Sequence, residues 1–185
     1  MTLLATIISG VFAYQHGRMD WSRFLMVVIG LLSAHATNNI LNDLSDHRRG
    51  VDKDNAFRTR YDTQPVEEGM ITPRQSTLLA LFTVVPMLVT ATWLTFLVGQ
   101  ALIPFAVAGV VLVFAYNWPL KHYGLGEPTV IVVWGPLMVG GGYLSITGVW
   151  SWAVAWASLP YAIGATIVAT CPAVAVATAS KLATA

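Results

Sequence analysis

Between residues 39 and 52 the chain reads Asn39-Ile-Leu-Asn42-Asp43-Leu-Ser-Asp46-His-Arg-Arg-Gly50-Val-Asp52. On a helix, the three- and four-residue spacings put Asn39, Asn42, Asp43, Asp46 and Gly50 on one stripe. Two carboxylates and two carboxamides then face the same cavity. Gly50 permits a helix stop or turn there, letting Asp52 swing toward the same point. Carboxylates one turn apart repel unless a cation sits between them. Oxygen donors with no Cys and no usable His pair favour Mg2+, which prefers octahedral oxygens at ~2.1 Å and shares its sphere with substrate phosphates. Arg48, Arg49, Lys53, Arg58 and Arg60 supply positive charge for such phosphates. A charge-balanced, solvated loop would have much the same composition. The stripe's continuity with an apolar helix is what favours a binding site.

The rest of the chain is what must position that stripe. Hydrophobic residues make up 56% of the 185 and charged residues 10%, with a mean hydropathy of +0.65. A soluble domain would be about a quarter charged, so too little polar surface remains to clothe a globule in water. The charges are also bunched: six of the ten Lys and Arg fall between Arg48 and Arg74, and seven of the nine carboxylates between Asp43 and Glu68. Elsewhere the chain runs in apolar stretches of the roughly 20 residues a helix needs to cross ~30 Å of hydrocarbon. Alternating strand patterns are missing, so the spans are helices. The expected fold is all-α, a polytopic transmembrane bundle of about six spans, near 2–14, 22–38, 76–98, 101–117, 129–148 and 152–175. The lone Cys171 excludes an internal disulfide and reads as a small buried apolar residue. No secretory signal is evident at the start. The net charge of +1 identifies no partner; none is expected among nucleic acids, and oligomeric state is not legible.

The positive residues cluster in the loops 39–74 and 118–128, which therefore face the cytoplasm, giving a multi-pass protein of the cell inner membrane. Trp21, Trp150 and Trp152 fall where an outer aromatic belt would lie, and Trp118 at the inner boundary. Pro86, Pro104, Pro136 and Pro160 lie within spans and tend to kink them. Gly140-Gly-Gly142 allows close helix approach. His35, inside an apolar helix, reads as a hydrogen-bonded packing residue, and His47 as a solvated one.

The stretch from Asn39 to Asp52 resembles the first aspartate motif of the UbiA superfamily of intramembrane prenyltransferases. Its Gly-x-Asp ending is most similar to the 1,4-dihydroxy-2-naphthoate polyprenyltransferase branch. Tyr116-Asn-Trp-Pro-Leu-Lys121-His-Tyr123-Gly-Leu-Gly126-Glu127 resembles that family's loop after the fourth helix, and the helix count between the two is right. The resemblance covers residues 2 to about 165. It implies transfer of a prenyl group from an isoprenyl diphosphate to an aromatic acceptor, as in menaquinone and other quinone biosynthesis, with the diphosphate entering sideways from the bilayer. It implies Mg2+ held by Asp43 and Asp46 with Asp52 assisting, and a diphosphate oriented by Asn39 and Asn42. Lys121 and an arginine of the Arg58/Arg60 loop would stabilise the departing pyrophosphate. Tyr116, Tyr123 and Trp118 are placed to shield an allylic cation, though as interface aromatics they need no such role. Glu127 stands where the family carries an acid near the acceptor.

The family has about nine helices and a second aspartate motif after the sixth. Here no Asp or Glu follows Glu127. The sequence divides into a UbiA-like part, 1–168, and an Ala/Thr/Val-rich stretch, 169–185, which reads as a truncation or a change of reading frame. The alternative to an active enzyme is thus a truncated, non-catalytic member that at most binds prenyl diphosphate. A small transporter subunit is disfavoured, because the spans hold no charged residue except Arg23 and Arg74 at their edges.

Overall fold

The computed structural model describes residues 1–50, 65–116, 120 and 123–168, with Arg49 described in its backbone alone. Among these the chain is mostly helical, with short turns between the helices and no strands. The order is α1 (Thr2–Gln15), α2 (Trp21–Arg49), α3 (Pro73–Val98), α4 (Gln100–Ala115), α5 (Gly126–Thr147) and α6 (Trp152–Val168). Three helices, α2, α3 and α5, are long and apolar enough to cross a membrane; α1, α4 and α6 are apolar but shorter. Sequence expectation and structure agree on six helices in an all-α bundle.

Local chemistry sets the ends. The Asp20 carboxylate caps α2 by accepting from the Arg23 backbone N–H. Thr72 and Gln75 form a reciprocal capping box at α3, with Pro73 in the first turn where its missing N–H costs nothing. α2 runs unbroken for 29 residues, through the acidic cluster, and stops at Gly50. Gly50 adopts φ 66°, and its N–H reaches back to the carbonyls of Asp46 and His47. Without a Cβ it takes this left-handed turn freely.

α2 and α3 form the most extensive helix pair, and three contacts define their antiparallel register. Arg23 donates through Nη2 to the Leu97 carbonyl at 3.5 Å. Gly30 faces Thr90, and Thr37 meets Thr83 hydroxyl to hydroxyl at 2.8 Å. Each step is seven residues on both helices, the repeat of a left-handed coiled-coil seam. One further seven-residue step on each helix falls at Leu44 and Ser76, and both are buried.

On α3 the seam stripe is mixed and mostly small: Ser76, Ala80 and Thr90 are buried, with the larger Met87 and Leu94. The opposite stripe is large and apolar, with Leu78, Phe82, Val85, Val89, Trp93 and Phe96 exposed. This is the pattern of a helix whose solvent is lipid, where small residues permit close packing and large ones meet the acyl chains.

α5 is the most enclosed spanning helix, 61% of its apolar window being buried. Its middle section, Val133–Gly140, is π-helical around Pro136, and the Gly141 N–H reaches the Pro136 carbonyl five residues back. Widening the turn accommodates the proline ring and its missing N–H. Four glycines of α5 each admit a different neighbour. Gly135 meets Ser158 and Ala162 of α6, Gly140 meets Trp150, Gly141 meets Phe105 of α4, and Gly142 meets Ser9 of α1 and Val27 of α2. Ser9 also donates to the Val139 carbonyl at 3.1 Å. The expected packing role of Gly140–Gly142 is thus what the structure has.

Trp150, half-buried, follows α5 directly. Its ring packs on Phe105 at 4.7 Å and over Gly140, drawn inward by the space that glycine leaves. Trp21 and Trp152 are exposed. The sixth span ends at Val168 among the described residues; 169–175, and Trp118, lie outside them.

Candidate functional site

The buried core, from Ala5, Ala13 and Val27 to Tyr143, Leu144 and Ile146, gathers around α1, α2 and α5. α4 contributes a single buried residue, Leu102 in its first turn. The C-terminal end of α2 leads away from that core, and the polar stripe lies there.

Because α2 continues without a break to Arg49, Asn39, Asn42, Asp43 and Asp46 occupy successive turns as their spacing requires. Asn39 is exposed, Asn42 and Asp43 are half-buried, and Asp46 is 6% exposed. A carboxylate so enclosed needs partners; Asn42, Asp43 and Asp46 each have an interaction partner. Tyr116, at the end of α4, is half-buried and sits close enough to the carboxylates of Asp46 and Glu127 to feel both charges. Tyr116 thereby stands near a carboxylate 70 positions before it and another 11 positions after it. Glu127 lies in the first turn of α5, where a negative charge also complements the helix dipole. Tyr123 is 68% exposed but has a partner. Asp52, Arg58, Arg60 and Lys121 lie outside the described residues.

Two histidines belong to this neighbourhood. His47, expected to be solvated, is half-buried instead: its Nδ1 lies 2.6 Å from Glu67 Oε2, tying the last turn of α2 to the segment before α3. A pair twenty residues apart leaves no periodic trace in the sequence. His35 sits one turn before Asn39, on the same stripe. Its Nε2 is 3.3 Å from Asn39 Nδ2, and Trp134 of the π-helical section meets its ring edge to face at 5.5 Å. Extending the 39–43–46 spacing back by four would have found it.

Among the described residues no three His, Cys, Asp or Glu side chains gather as a metal cage. The donor set along α2 nevertheless suits a hard cation. Asp43 and Asp46 offer carboxylate oxygens three residues apart, Asn39 and Asn42 offer carboxamides, and Asp46 is shielded from water. Mg2+ is commonly held by one or two carboxylates, substrate phosphates and water completing its sphere.

A family model described as the UbiA prenyltransferase family matches residues 3–178. The chain belongs to the UbiA prenyltransferase family. Compared with curated proteins and with solved structures, it matches none. UbiA members are membrane-integral prenyltransferases that transfer a prenyl group to an aromatic acceptor and generally use Mg2+ to bind the diphosphate. The apolar helices and the helical bundle agree with that membership.

Proposed function

We propose that this UbiA-family chain binds an isoprenyl diphosphate through Mg2+ at Asp43 and Asp46 and passes the prenyl group to a dihydroxynaphthoate-like acceptor in quinone biosynthesis. The observation that carries the reading is the unbroken α2. It delivers Asn39, Asn42, Asp43 and the enclosed Asp46 on successive turns, beside Tyr116 and Glu127.

When bound, Mg2+ neutralises diphosphate charge and favours its departure. Asp43 and Asp46 would hold it, assisted by Asp52; Asn39 and Asn42 orient the diphosphate, and Lys121 with Arg58 or Arg60 stabilises the pyrophosphate released. In the reaction the prenyl carbon–oxygen bond breaks, with its electrons leaving on pyrophosphate. The allylic carbon then bonds to an electron-rich ring carbon, which gives up a proton, or carbon dioxide where it bears a carboxyl group. Tyr116 and Tyr123 are suited to shield the cation, their ring faces being negative. Glu127 is suited to orient the acceptor. The charge asymmetry of the loops supports a cytoplasmic site at the inner membrane.

The test is an assay in lipid nanodiscs with Mg2+, a polyprenyl diphosphate and dihydroxynaphthoate, comparing wild type with Asp43→Ala and Asp46→Ala. Prenylated product from wild type and at least about a hundredfold less from either variant is expected, as for loss of a principal electrostatic group. Product that survives both substitutions removes this site from the reaction.

A further inference from the structure

From the contacts below Asn39, we infer that His35 is a positioning residue for the diphosphate site: it fixes which way round Asn39 presents its carboxamide. The inference rests on the proposed function, because it acts through a residue of that site.

Asn39 Nδ2 lies 3.3 Å from His35 Nε2. A carboxamide nitrogen has only protons to offer, so the Asn39 N–H donates and Nε2 receives it on its lone pair. His35 is then neutral, with its proton on Nδ1. An amide held by its nitrogen has its oxygen on the other branch of the planar group. Oδ1 of Asn39 is thereby kept for a cation or a donor, and a carboxamide oxygen is a hard ligand of the kind Mg2+ accepts. Flipped, the same side chain would offer two N–H groups instead, which repel a cation and can only donate to phosphate.

The imidazole is held in turn. Trp134 meets it edge to face at 5.5 Å, with Tyr161 of α6 beyond at 6.3 Å from Trp134. Trp134 stands in the π-helical section of α5. A chain of contacts thus runs from α6 through α5 to α2, ending on the carboxamide one turn before Asp43. Ligands at metal sites are commonly oriented by such outer partners, whose loss typically costs ten- to a hundredfold in affinity.

The experiment measures Mg2+-dependent binding of a non-hydrolysable thio-analogue of geranyl diphosphate by calorimetry, on the full chain in nanodiscs. Variants are His35→Leu, His35→Gln, Asn39→Ala and His35→Leu/Asn39→Ala. Steady-state KM for the acceptor is measured in parallel. His35→Leu should weaken diphosphate binding about tenfold. His35→Gln, whose Oε1 can accept the same N–H, should recover most of it and guards against failure of the leucine variant to fold. The double variant should be no weaker than Asn39→Ala alone.

Wild-type affinity in both His35→Leu and His35→Gln overturns the inference and leaves the functional reading standing. So does a loss that adds to that of Asn39→Ala, or one confined to the acceptor KM. Wild type that binds no diphosphate with Mg2+ overturns the functional reading and the inference with it.

Discussion

Gly30→Ala probes the α2–α3 seam at the point where the space is smallest. A Cβ on Gly30 would stand 2.6 Å from Thr90 Oγ1 and 3.3 Å from Thr90 Cβ. Ordinary contact begins at 3.4 Å, so the hydroxyl is too near by 3.4 − 2.6 = 0.8 Å. Thr90 is buried, and its hydroxyl donates to the Pro86 carbonyl at 2.7 Å. Turning it away forfeits that bond, while keeping it forces the helices apart. Overpacking of this kind costs about 1–3 kcal/mol, whereas alanine in place of glycine within a helix returns about 1 kcal/mol. Net destabilisation of about 1 kcal/mol is expected for Gly30→Ala in the wild-type background. In a Thr90→Ala background the 2.6 Å hydroxyl clash is gone and only the 3.3 Å approach to Cβ remains, so the same substitution should cost clearly less and come close to neutral. The assay is an SDS titration in mixed micelles followed by far-ultraviolet circular dichroism, for the four members of the double-mutant cycle. Equal cost of Gly30→Ala in both backgrounds, or stabilisation of the wild type, would refute the seam as described.

Two further predictions concern charges at opposite ends of α2. The His47–Glu67 pair is partly exposed, at 32% and 22% of the side chains, so screening keeps it small. A cycle of His47→Ala and Glu67→Ala should give a coupling of about 0.5–1 kcal/mol that shrinks in high salt. At the other end, the Arg23 backbone N–H and then the Ser22 hydroxyl hold the Asp20 carboxyl below the usual carboxylate range. A folded pKa below the unfolded one means the stabilisation is complete above the unfolded value of about 3.9 and is lost as pH falls through the folded value. Asp20→Ala should cost about 1 kcal/mol at pH 7, with the gap to wild type closing below about pH 4; micellar unfolding titrations at pH 3 and pH 7 measure it.

The parts of the fold legible in sequence were those whose cause is local. The Asn39–Asp46 spacing needs only a continuing helix to become a stripe, and Gly50 supplies its own stop. Apolar length marks the helices because lipid leaves the backbone few alternatives. The α2–α3 seam was harder to see. The inward stripe of α3 is small and the outward one large, but both are uncharged, so no polar face marks the contact. The contact of Trp150 with Phe105 depends on the room left by Gly140, ten residues earlier in α5, which no local pattern marks. The His47–Glu67 pair and the Tyr116–Asp46–Glu127 grouping depend on how loops return, which hydropathy does not encode. Pro136 is plain in the sequence. That α5 answers it by widening, and so carries Trp134 against His35, is a property of packing.

These features divide α2 into two halves with different tasks. In the N-terminal half, Gly142 admits Val27 and Ser9, and Gly30 admits Thr90, so the helix is set among its neighbours by close backbone approach. Such contacts respond to added volume, not to charge. In the C-terminal half, the Thr37–Thr83 hydroxyl pair and the wholly buried Ser76 line the seam, while Tyr116 at the end of α4 lies near both Asp46 and Glu127. An α-helix is stiff over seven or eight turns, so an N-terminal half fixed by packing holds the carboxylates of the C-terminal half in place without a dense apolar core around them. That separation lets a charged site remain open at one end of a bundle whose cohesion resides at the other. It also explains why one continuous helix, and not a loop, carries Asn39 through Asp46.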